Sequence, residues 1–231
     1  AFAGISSARC TNEENYVFQK MIRAAVGTNS VDCCARICHS PTAWGMQQTF
    51  GTGAATNSTE DIYHADLFLV IGANPTNAHP VTGAKIKQQA MKGKKLIVLD
   101  PIKTELAQLA DYHIKLRPGT NVAVLNMMLH FIIKSKLYNA DFVRDRTEGF
   151  DNFLKEIERQ DVDHLAKVAG VDKQLVKEAA IAYATAKNSM EFHGLGVTEH
   201  EQGSKTVMLI ADLAMITGNI GRKGVGVNPL R

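Results

Sequence analysis

The sequence predicts an α/β fold in which a parallel sheet is covered by helices on both faces. Two short, mostly apolar runs, 67–71 and 95–99, are each followed by a turn residue, Gly72 and Asp100. Runs of this length with such a boundary are typical of strands that are buried on both faces. Segments with helical spacing follow both runs, and strands that alternate with helices over short connections form parallel sheets with right-handed crossovers.

The segment before the first buried strand is expected to be mainly helical. A helix is predicted over 12–25, with Thr11 or Asn12 as its N-cap, acidic residues in its first turn and Gly27 at its end. A second short helix is predicted over 41–48. A loop rich in small polar residues is expected to follow it, over 50–57.

From residue 65 onward the pattern alternates between strand and helix. The predicted strands are 67–71, 95–99, 112–116 and 189–193. The predicted helices are 85–91, 104–109, 121–134, several with solvated charged faces between 141 and 187, and 204–216. The Gly-rich tail, 217–228, is expected to be a loop.

Composition and charge exclude several classes of function. The chain has 231 residues, 45% of them hydrophobic and 21% charged, which is the composition of an ordinary soluble globular protein. A net charge of +3, with Lys and Arg scattered, does not indicate nucleic acid binding. No apolar stretch reaches the roughly 18 residues that a membrane span needs. The four cysteines look like reduced thiols, which favours the cytoplasm. A chain that starts without Met and stops after a turn reads as a segment of something longer.

The stretch 31–41, VDCCARICHSP, holds three of the four cysteines and carries the strongest chemical signal. A thiolate at Cys38 is a natural ligand for a soft metal, and the adjacent His39 can carry a proton near neutral pH. This pair is the basis of a hypothesis of a metal-centred redox site.

Three other interpretations of this stretch stay open. Cys33 and Cys34 are expected to be small core residues, since cysteine is among the most buried residue types. A zinc site is poorly spaced, because only Cys10 lies outside this cluster. A catalytic thiol paired with His39 is disfavoured because adjacent residues do not face each other in a helix or strand.

Polar loops follow three of the predicted strands. They are 72–79 after the first buried strand, Asp100 after the second, and 194–198 after the last. Ligands of open parallel sheets lie at the carboxyl ends of the strands, so these loops predict a nucleotide-like ligand, although Gly, Asn and Pro also make plain turns. The sequence contains no GxGxxG after a strand and no GxxxxGK[ST], which argues against an ordinary NAD site and against a P-loop.

Taken together, these segments resemble the catalytic subunit of molybdenum- or tungsten-dependent formate dehydrogenases, within the bis-molybdopterin guanine dinucleotide oxidoreductases. The matching segments run through the chain in family order: 6–13, 31–41, 72–80, 100–101, 146–150, 194–198, 217–219, and 226–229 with Arg231. The resemblance implies that the chain is a fragment of a larger molybdopterin oxidoreductase. It also implies a dinucleotide-binding-type α/β domain over 34–231 and a piece of a neighbouring cofactor-binding domain over 1–33.

The resemblance implies roles for individual residues. Cys38, or a selenocysteine written as cysteine, binds the metal, His39 assists proton removal, and Arg231 faces formate. The cofactor is Mo or W with two molybdopterin guanine dinucleotides. Its expected contacts are Ser7, Arg9, Asn12, Gly72, Asn74, His79, Asp100, Gly119, Gly196 and Thr198.

The activity implied by the resemblance is the reversible oxidation of formate to carbon dioxide, with two electrons leaving through iron-sulfur subunits or domains. The 4Fe-4S cluster of the family would lie upstream of Ala1, because the four cysteines present do not form that motif. Ile102 stands where a basic residue is frequent in relatives, which places one guanine or phosphate contact in doubt. Alternatives are a formylmethanofuran dehydrogenase, a nitrate reductase type of enzyme, or a non-catalytic α/β binding module.

Overall fold

The computed structural model describes residues 1–231 and contains two parallel sheets. The strands are β1 (Gly4–Ser6), β2 (Val31–Cys33), β3 (Leu67–Ile71), β4 (Lys95–Leu99), β5 (Tyr112–Ile114), β6 (Ser189–His193) and β7 (Gly226–Pro229). The helices are α1 (Asn12–Met21), α2 (Ser40–Phe50), α3 (Pro75–Ala78), α4 (Pro80–Met91), α5 (Glu105–Leu109), α6 (Asn121–Lys134), α7 (Ala140–Arg146), α8 (Phe150–Glu158), α9 (Val162–Ala169), α10 (Lys173–Thr185), α11 (Leu195–Thr198) and α12 (Gly203–Ile216).

The main sheet has the strand order β5-β4-β3-β6-β7, and every neighbouring pair is parallel. Within this sheet the chain first forms the central strand β3 and then adds β4 and β5 on one side of it. It next returns to the other side of β3, where it forms β6 and β7. The direction of winding therefore reverses between β3 and β6. Such a reversal opens a crevice at the carboxyl ends of the two strands, and ligands of open α/β sheets bind there.

Helices cover both faces of this sheet, as the sequence predicted. Alternate residues of a strand point to opposite faces. Leu67, Leu69 and Ile71 accordingly belong to the larger apolar core, beneath α6, α10 and α12. Phe68 and Val70 belong to a smaller core beneath α4 and α5. All five residues of β3 are buried, which confirms the interpretation of this run as a strand covered on both sides.

The most regular segments match their predicted bounds. The strands over 67–71, 95–99 and 189–193 and the helix over 121–134 have the predicted ends. The helix predicted over 85–91 begins earlier, at Pro80, because proline is well suited to the first turn of a helix. Thr11 is the N-cap of α1, in a reciprocal capping box with Glu14, and the helix continues as one π-helical turn to Gly27.

The tail was wrongly expected to be entirely loop, because Gly226–Pro229 forms the edge strand β7 beside β6. Its backbone is held from both sides: the carbonyl of Val227 accepts a hydrogen bond from the N–H of Thr56 at 3.1 Å, and its own N–H donates to the Thr56 hydroxyl at 2.9 Å. Because Thr56 lies 171 residues away in sequence, its contacts with Val227 produce no local apolar pattern that would predict a strand. The sequence of this segment, Gly-Val-Asn-Pro, instead indicates a turn.

The first 33 residues contain a small sheet of their own. Strands β1 and β2 pair in a two-stranded parallel sheet, from Gly4 with Val31 to Ser6 with Cys33, and α1 packs beside it. The division into two domains at residue 34 stays a prediction, and it falls directly after this sheet. No helix of the chain combines the length and the apolarity that crossing a bilayer requires.

Candidate active site

A cavity of about 580 Å³ opens at the point where the winding reverses between β3 and β6. One side, here called the inner wall, consists of the strand-end loops 72–74 and 194–196. The other side, here called the rim, consists of residues 7–9, residues 34, 35, 38–40 and 43, and the end of the chain at Leu230 and Arg231. Elements that are far apart in sequence thus surround one space at the expected ligand position.

Two glycines bring the loops of the inner wall together. The N–H of Gly196 donates a hydrogen bond to the carbonyl of Gly72 at 2.9 Å. Gly72 has φ +53°, and a Cβ there would lie 2.6 Å from the carbonyl carbon of Gly196. A Cβ on Gly196 would lie 2.8 Å from the Cα of Gly72. Only glycine permits this approach, which leaves a backbone surface that a ligand can reach closely.

Cys38 and Cys34 both line the cavity. Burial, together with the neighbouring Cys34, raises the pKa of Cys38. A hydrogen bond from the backbone of Ala8 lowers the pKa of Cys34, whose Sγ lies 3.9 Å from the Ser7 hydroxyl. The expectation that Cys33 and Cys34 are core residues is wrong, because Cys33 is exposed and Cys34 is half-buried at the cavity. Cys33 ends β2 and Cys34 begins a 3-10 turn, and neither side chain belongs to an apolar core.

His39 lies beside Cys38 and is only 8% exposed. Its Nε2 is 2.8 Å from the carbonyl oxygen of Leu230, and its Nδ1 is 3.0 Å from the hydroxyl of Thr42. Burial lowers the pKa of His39, although the Leu230 contact opposes this effect, so the ring is neutral near pH 7. The Thr42 hydroxyl also contacts Nε2 of His193 at 3.2 Å, behind the inner wall.

Arg231 lines the same cavity as Cys38 and His39, although it is 193 residues from Cys38 in sequence. Its carbonyl is 2.8 Å from Nε2 of His79, and its guanidinium donates to the carbonyl of Gly53. Together with Arg9 it gives the cavity two guanidinium groups, and no Asp or Glu lines the space. A cationic cavity without carboxylates suits an anionic ligand.

A second cavity of about 240 Å³ adjoins the first and shares the Gly72 and Gly196 loops with it. Asp100 lies at its edge, where the carboxylate accepts a hydrogen bond from the N–H of Ile102 at 2.8 Å. Burial raises the pKa of this carboxyl. The two cavities lie side by side along the carboxyl ends of the sheet, which provides room for an elongated ligand.

The structure brings most of the predicted site residues together. The three predicted catalytic residues line the larger cavity. Of the predicted cofactor residues, Ser7, Arg9, Gly72, Asn74, His79 and Gly196 also line it, and Asp100 lines the smaller one. Asn12, Gly119 and Thr198 line neither: Asn12 begins α1, Gly119 lies in a turn, and Thr198 is buried with an unpaired hydroxyl. The role of each residue stays a prediction.

Sequence reasoning missed several residues at or behind the site. Asn121 and His200 line the smaller cavity, and Asn121 occupies the first position of α6. Thr42 and His193 lie behind the larger cavity, fully buried. One signal was available for His193, because Ser189, Glu191 and His193 alternate along a predicted strand. Polar residues at alternate positions of a strand share one face of the sheet.

The donor atoms of the cavity fit a metal ion to which the protein supplies one ligand and an organic cofactor supplies the others. Cys38 supplies a soft thiol to the cavity, and the chain contains no cluster of three or more His, Cys, Asp or Glu side chains arranged to hold a metal ion. A thiolate suits a soft metal, and the cationic cavity suits phosphate groups. The residues present therefore fit a metal held in an anionic organic cofactor.

Comparison with known proteins agrees with this description. A family model for molybdopterin oxidoreductase matches residues 1–231. A formate dehydrogenase alpha subunit from Methanocaldococcus jannaschii is 46% identical over 98% of this chain and 34% of its own length. Formate dehydrogenase H from Escherichia coli is 44% identical over 98% of this chain and 32% of its own length. The chain spans about a third of the length of these relatives.

A solved structure supports the same assignment. Acetylene hydratase from Pelobacter acetylenicus superposes with a TM-score of 0.79 and 25% identity, over 98% of this chain and 30% of that one. The fold, the cavity at the reversal of winding and the match to the family model over the whole chain lead to one conclusion. The chain belongs to the molybdopterin oxidoreductase family.

Proposed function

We propose that this chain is the central part of the catalytic subunit of a formate dehydrogenase, which oxidises formate reversibly to carbon dioxide. One observation carries the proposal: a thiol at Cys38, an imidazole at His39 and a guanidinium at Arg231 line one cationic cavity. A small carboxylate substrate needs a cation to bind it, and its oxidation needs a group that accepts or donates a proton.

The cofactor that fits is molybdenum or tungsten with two molybdopterin guanine dinucleotides. Cys38 would bind the metal, and when bound the cofactor supplies the two-electron redox step. Arg9 and His79 line the cavity and would supply positive or donor partners to the phosphate groups. Asp100, at the end of β4, lies where an acid accepts hydrogen bonds from a ribose or a base edge.

The residues of the rim would bind and orient the substrate. The planar guanidinium of Arg231 can hold a carboxylate through two parallel hydrogen bonds. His39 would assist in moving the proton, since it lies next to Cys38 in a nearly water-free position. Leu230 links the two functions, because its carbonyl contacts His39 and it directly precedes Arg231.

The remainder of the proposal concerns parts outside this chain. Because the chain spans about a third of its relatives' length, the 4Fe-4S cluster and the iron-sulfur electron-transfer partners would belong to the rest of the protein or to other subunits. We place the enzyme in the cytoplasm, on the basis of its unpaired cysteines.

The fold alone does not decide the reaction, because acetylene hydratase, named for another substrate, has the same architecture. The substrate is therefore tested directly with the full-length protein. We expect formate-dependent dye reduction and no comparable turnover of nitrate or acetylene. Higher turnover of nitrate or acetylene than of formate would reject the proposal.

The role of Cys38 is tested by Cys38→Ala in the full-length protein, with Cys33→Ala as a matched control. Cys33 is exposed and does not line the cavity. We expect Cys38→Ala to reduce dye reduction by formate to the background rate, because the metal loses its protein ligand. Cys33→Ala should stay within about twofold of the wild type, as substitutions away from a site usually do. Equal turnover of the two variants would contradict the assignment.

A further inference from the structure

A line of buried polar groups leads from His39 into the core of the sheet. Nδ1 of His39 contacts the Thr42 hydroxyl at 3.0 Å, and this hydroxyl contacts Nε2 of His193 at 3.2 Å. Thr42, His193 and Glu191 are 0% exposed, and Tyr183 donates a hydrogen bond to Oε1 of Glu191. Buried polar groups are costly unless each one is paired, so this line requires a function or a complete set of partners.

The direction of each hydrogen bond near His39 follows from one carbonyl. The oxygen of Leu230 can only accept, so Nε2 of His39 carries a hydrogen and donates it. In its neutral form the ring then has a bare Nδ1, which accepts from the Thr42 hydroxyl. A hydroxyl has a single hydrogen, so the Thr42 oxygen can only accept from His193, whose Nε2 must then carry a hydrogen.

The direction of the hydrogen bond at Nδ1 of His193 follows in the same way. Burial lowers the pKa of His193 to about 3, so the ring is neutral and its Nδ1 is a bare acceptor. This atom has no hydrogen-bond partner, and neither has Oε2 of Glu191. Glu191 and His193 are two residues apart on β6 and point to the same face, with their Cα atoms about 7 Å apart. A hydrogen bond between the two, direct or through one buried water, would satisfy both atoms.

We infer that Glu191, as a neutral carboxylic acid, donates to Nδ1 of His193 and is thereby a positioning residue for His39. The line then runs in one direction, from Glu191 through His193 and Thr42 to His39, and every donor has an acceptor. Burial raises the pKa of Glu191 to about 8, which agrees with a protonated carboxyl at neutral pH. The inference rests on the proposed function only where it assigns His39 to the reaction.

The reverse arrangement shows why the protonation of Glu191 matters. A carboxylate at Glu191 would accept from His193, so the hydrogen of His193 would move to Nδ1. Its bare Nε2 would then compete with His39 for the single hydrogen of Thr42. His39 would lose the donor that holds its ring. The charged or titratable groups that act on this line are Tyr183 from α10, His79 before α4, Glu199 after α11, and Arg231 at the chain end.

The experiment is nitrogen NMR of the full-length protein with isotope-labelled histidine, in which a bare ring nitrogen and a protonated one give separate signals. His39→Gln and His193→Gln identify the two residues. At pH 6.5, the ordinary His pKa, we expect both rings to have a bare Nδ1 and a protonated Nε2. A protonated Nδ1 on His193 in the wild type would overturn the inference, and this result needs no variant of Glu191.

A second measurement tests whether Glu191 sets the position of the hydrogen on the His193 ring. At about pH 9, one unit above the pKa of Glu191, wild-type His193 should move its hydrogen to Nδ1. Glu191→Gln should not show this change, because its amide keeps a hydrogen to donate. An unchanged wild type at the higher pH, or a change in Glu191→Gln as well, would overturn the inference.

Turnover gives an additional readout, with Thr42→Val and Thr42→Ser as a matched pair. Thr42→Val removes the hydroxyl, and we expect kcat for formate to fall about tenfold to a hundredfold with KM nearly unchanged. Thr42→Ser keeps the hydroxyl and should restore most of kcat. Equal kcat in both variants would overturn the positioning role. A wild-type protein without formate turnover would reject the proposed function alone, because the NMR signals of the two histidines would still decide this inference.

Discussion

The inner wall and the rim of the cavity are built from the chain in different ways. The inner wall is formed by the ends of two buried strands, whose loops are joined backbone to backbone by Gly72 and Gly196. The rim is formed by side chains from distant parts of the sequence, among them Cys38 and Arg231. The inner wall thus belongs to the core of the fold, whereas most of the chemistry lies on the rim.

Substitutions on the two sides of the cavity should therefore have separate consequences. A change in the inner wall disturbs strands that carry the stability of the domain. A change at Cys38 or Arg231 on the rim removes a functional group from a half-buried or exposed position and leaves the strands intact.

Gly72→Ala should cause the largest loss of stability. Its Cβ would lie 2.6 Å from the backbone of Gly196 at a φ of +53°, so the loops of the inner wall must separate. We expect a loss of about 3 kcal/mol, measured as a lower unfolding midpoint of the full-length protein.

Gly119→Ala is the control for this effect. Gly119 also has a positive φ, +83°, but a Cβ there would meet nothing within 4 Å. It should lose only about 1 kcal/mol, from backbone strain alone. Equal losses in the two variants would show that backbone conformation, not the contact between the loops, holds the inner wall together.

Arg231→Lys should weaken the binding of formate without affecting stability. Lysine keeps the charge but loses the planar fork that makes two parallel hydrogen bonds to a carboxylate. The loss of one charge-assisted hydrogen bond, about 1.5 kcal/mol, should raise KM about tenfold with a smaller change in kcat. Arg36→Lys, at an exposed position outside the cavity, should leave KM unchanged. An unchanged KM in Arg231→Lys would place the substrate elsewhere.

The smallest effect concerns pH and the buried carboxyl behind the inner wall. The pKa of Glu191 is about 8 in the folded protein, against 4.5 ordinarily, because burial disfavours the charged form. The folded state therefore binds more protons between these two pH values, and stability falls as pH rises through this window. Below pH 6.5 the lowered pKa of His193 makes stability rise with pH, which opposes the effect of Glu191. The fall in stability should therefore be visible mainly from about pH 6.5 to 8.

Comparison with Glu191→Gln isolates this contribution. Asp212, whose pKa burial raises to about 7, adds a slope of the same sign in both proteins, so it cancels in the difference. Between pH 6.5 and 7.5 the wild type should lose about 1 kcal/mol of stability relative to Glu191→Gln, measured from the unfolding midpoints. Parallel pH profiles would show that Glu191 is already ionised in the folded protein.

The parts of the fold that could be predicted are those in which apolar residues form a continuous or periodic pattern along a short segment. The runs 67–71 and 189–193 and the helix 121–134 were predicted with correct ends, because each one buries a continuous or periodic apolar surface. The strand Gly226–Pro229 was missed because distant partners, the backbone of β6 and the side chain of Thr56, hold it. The short pair β1 and β2 was missed for the same reason, since three-residue strands carry no period.

The site divides in a similar way. The residues in loops at strand ends, such as Asn74 and Gly196, were predictable because the topology of a parallel sheet places those ends together. Cys34 was assigned to the core from its average burial, although its position on a turn at the cavity was decided by contacts with Ser7 and Ala8. Thr42 and His193 were missed because a polar side chain in a buried element shows its partner only in three dimensions.

The sequence by itself determined the alternation of strands and helices, the polar loops at the strand ends and the set of chemical groups in the chain. These features depend on local periodicity and on residue type, both of which can be read along one dimension. It is the three-dimensional fold that brings Arg231 and Cys38 to one cavity and sets Thr42 between the rings of His39 and His193. Hydrogen-bond partners are set by distance and direction in space, and residues 193 positions apart meet only after the sheet has formed.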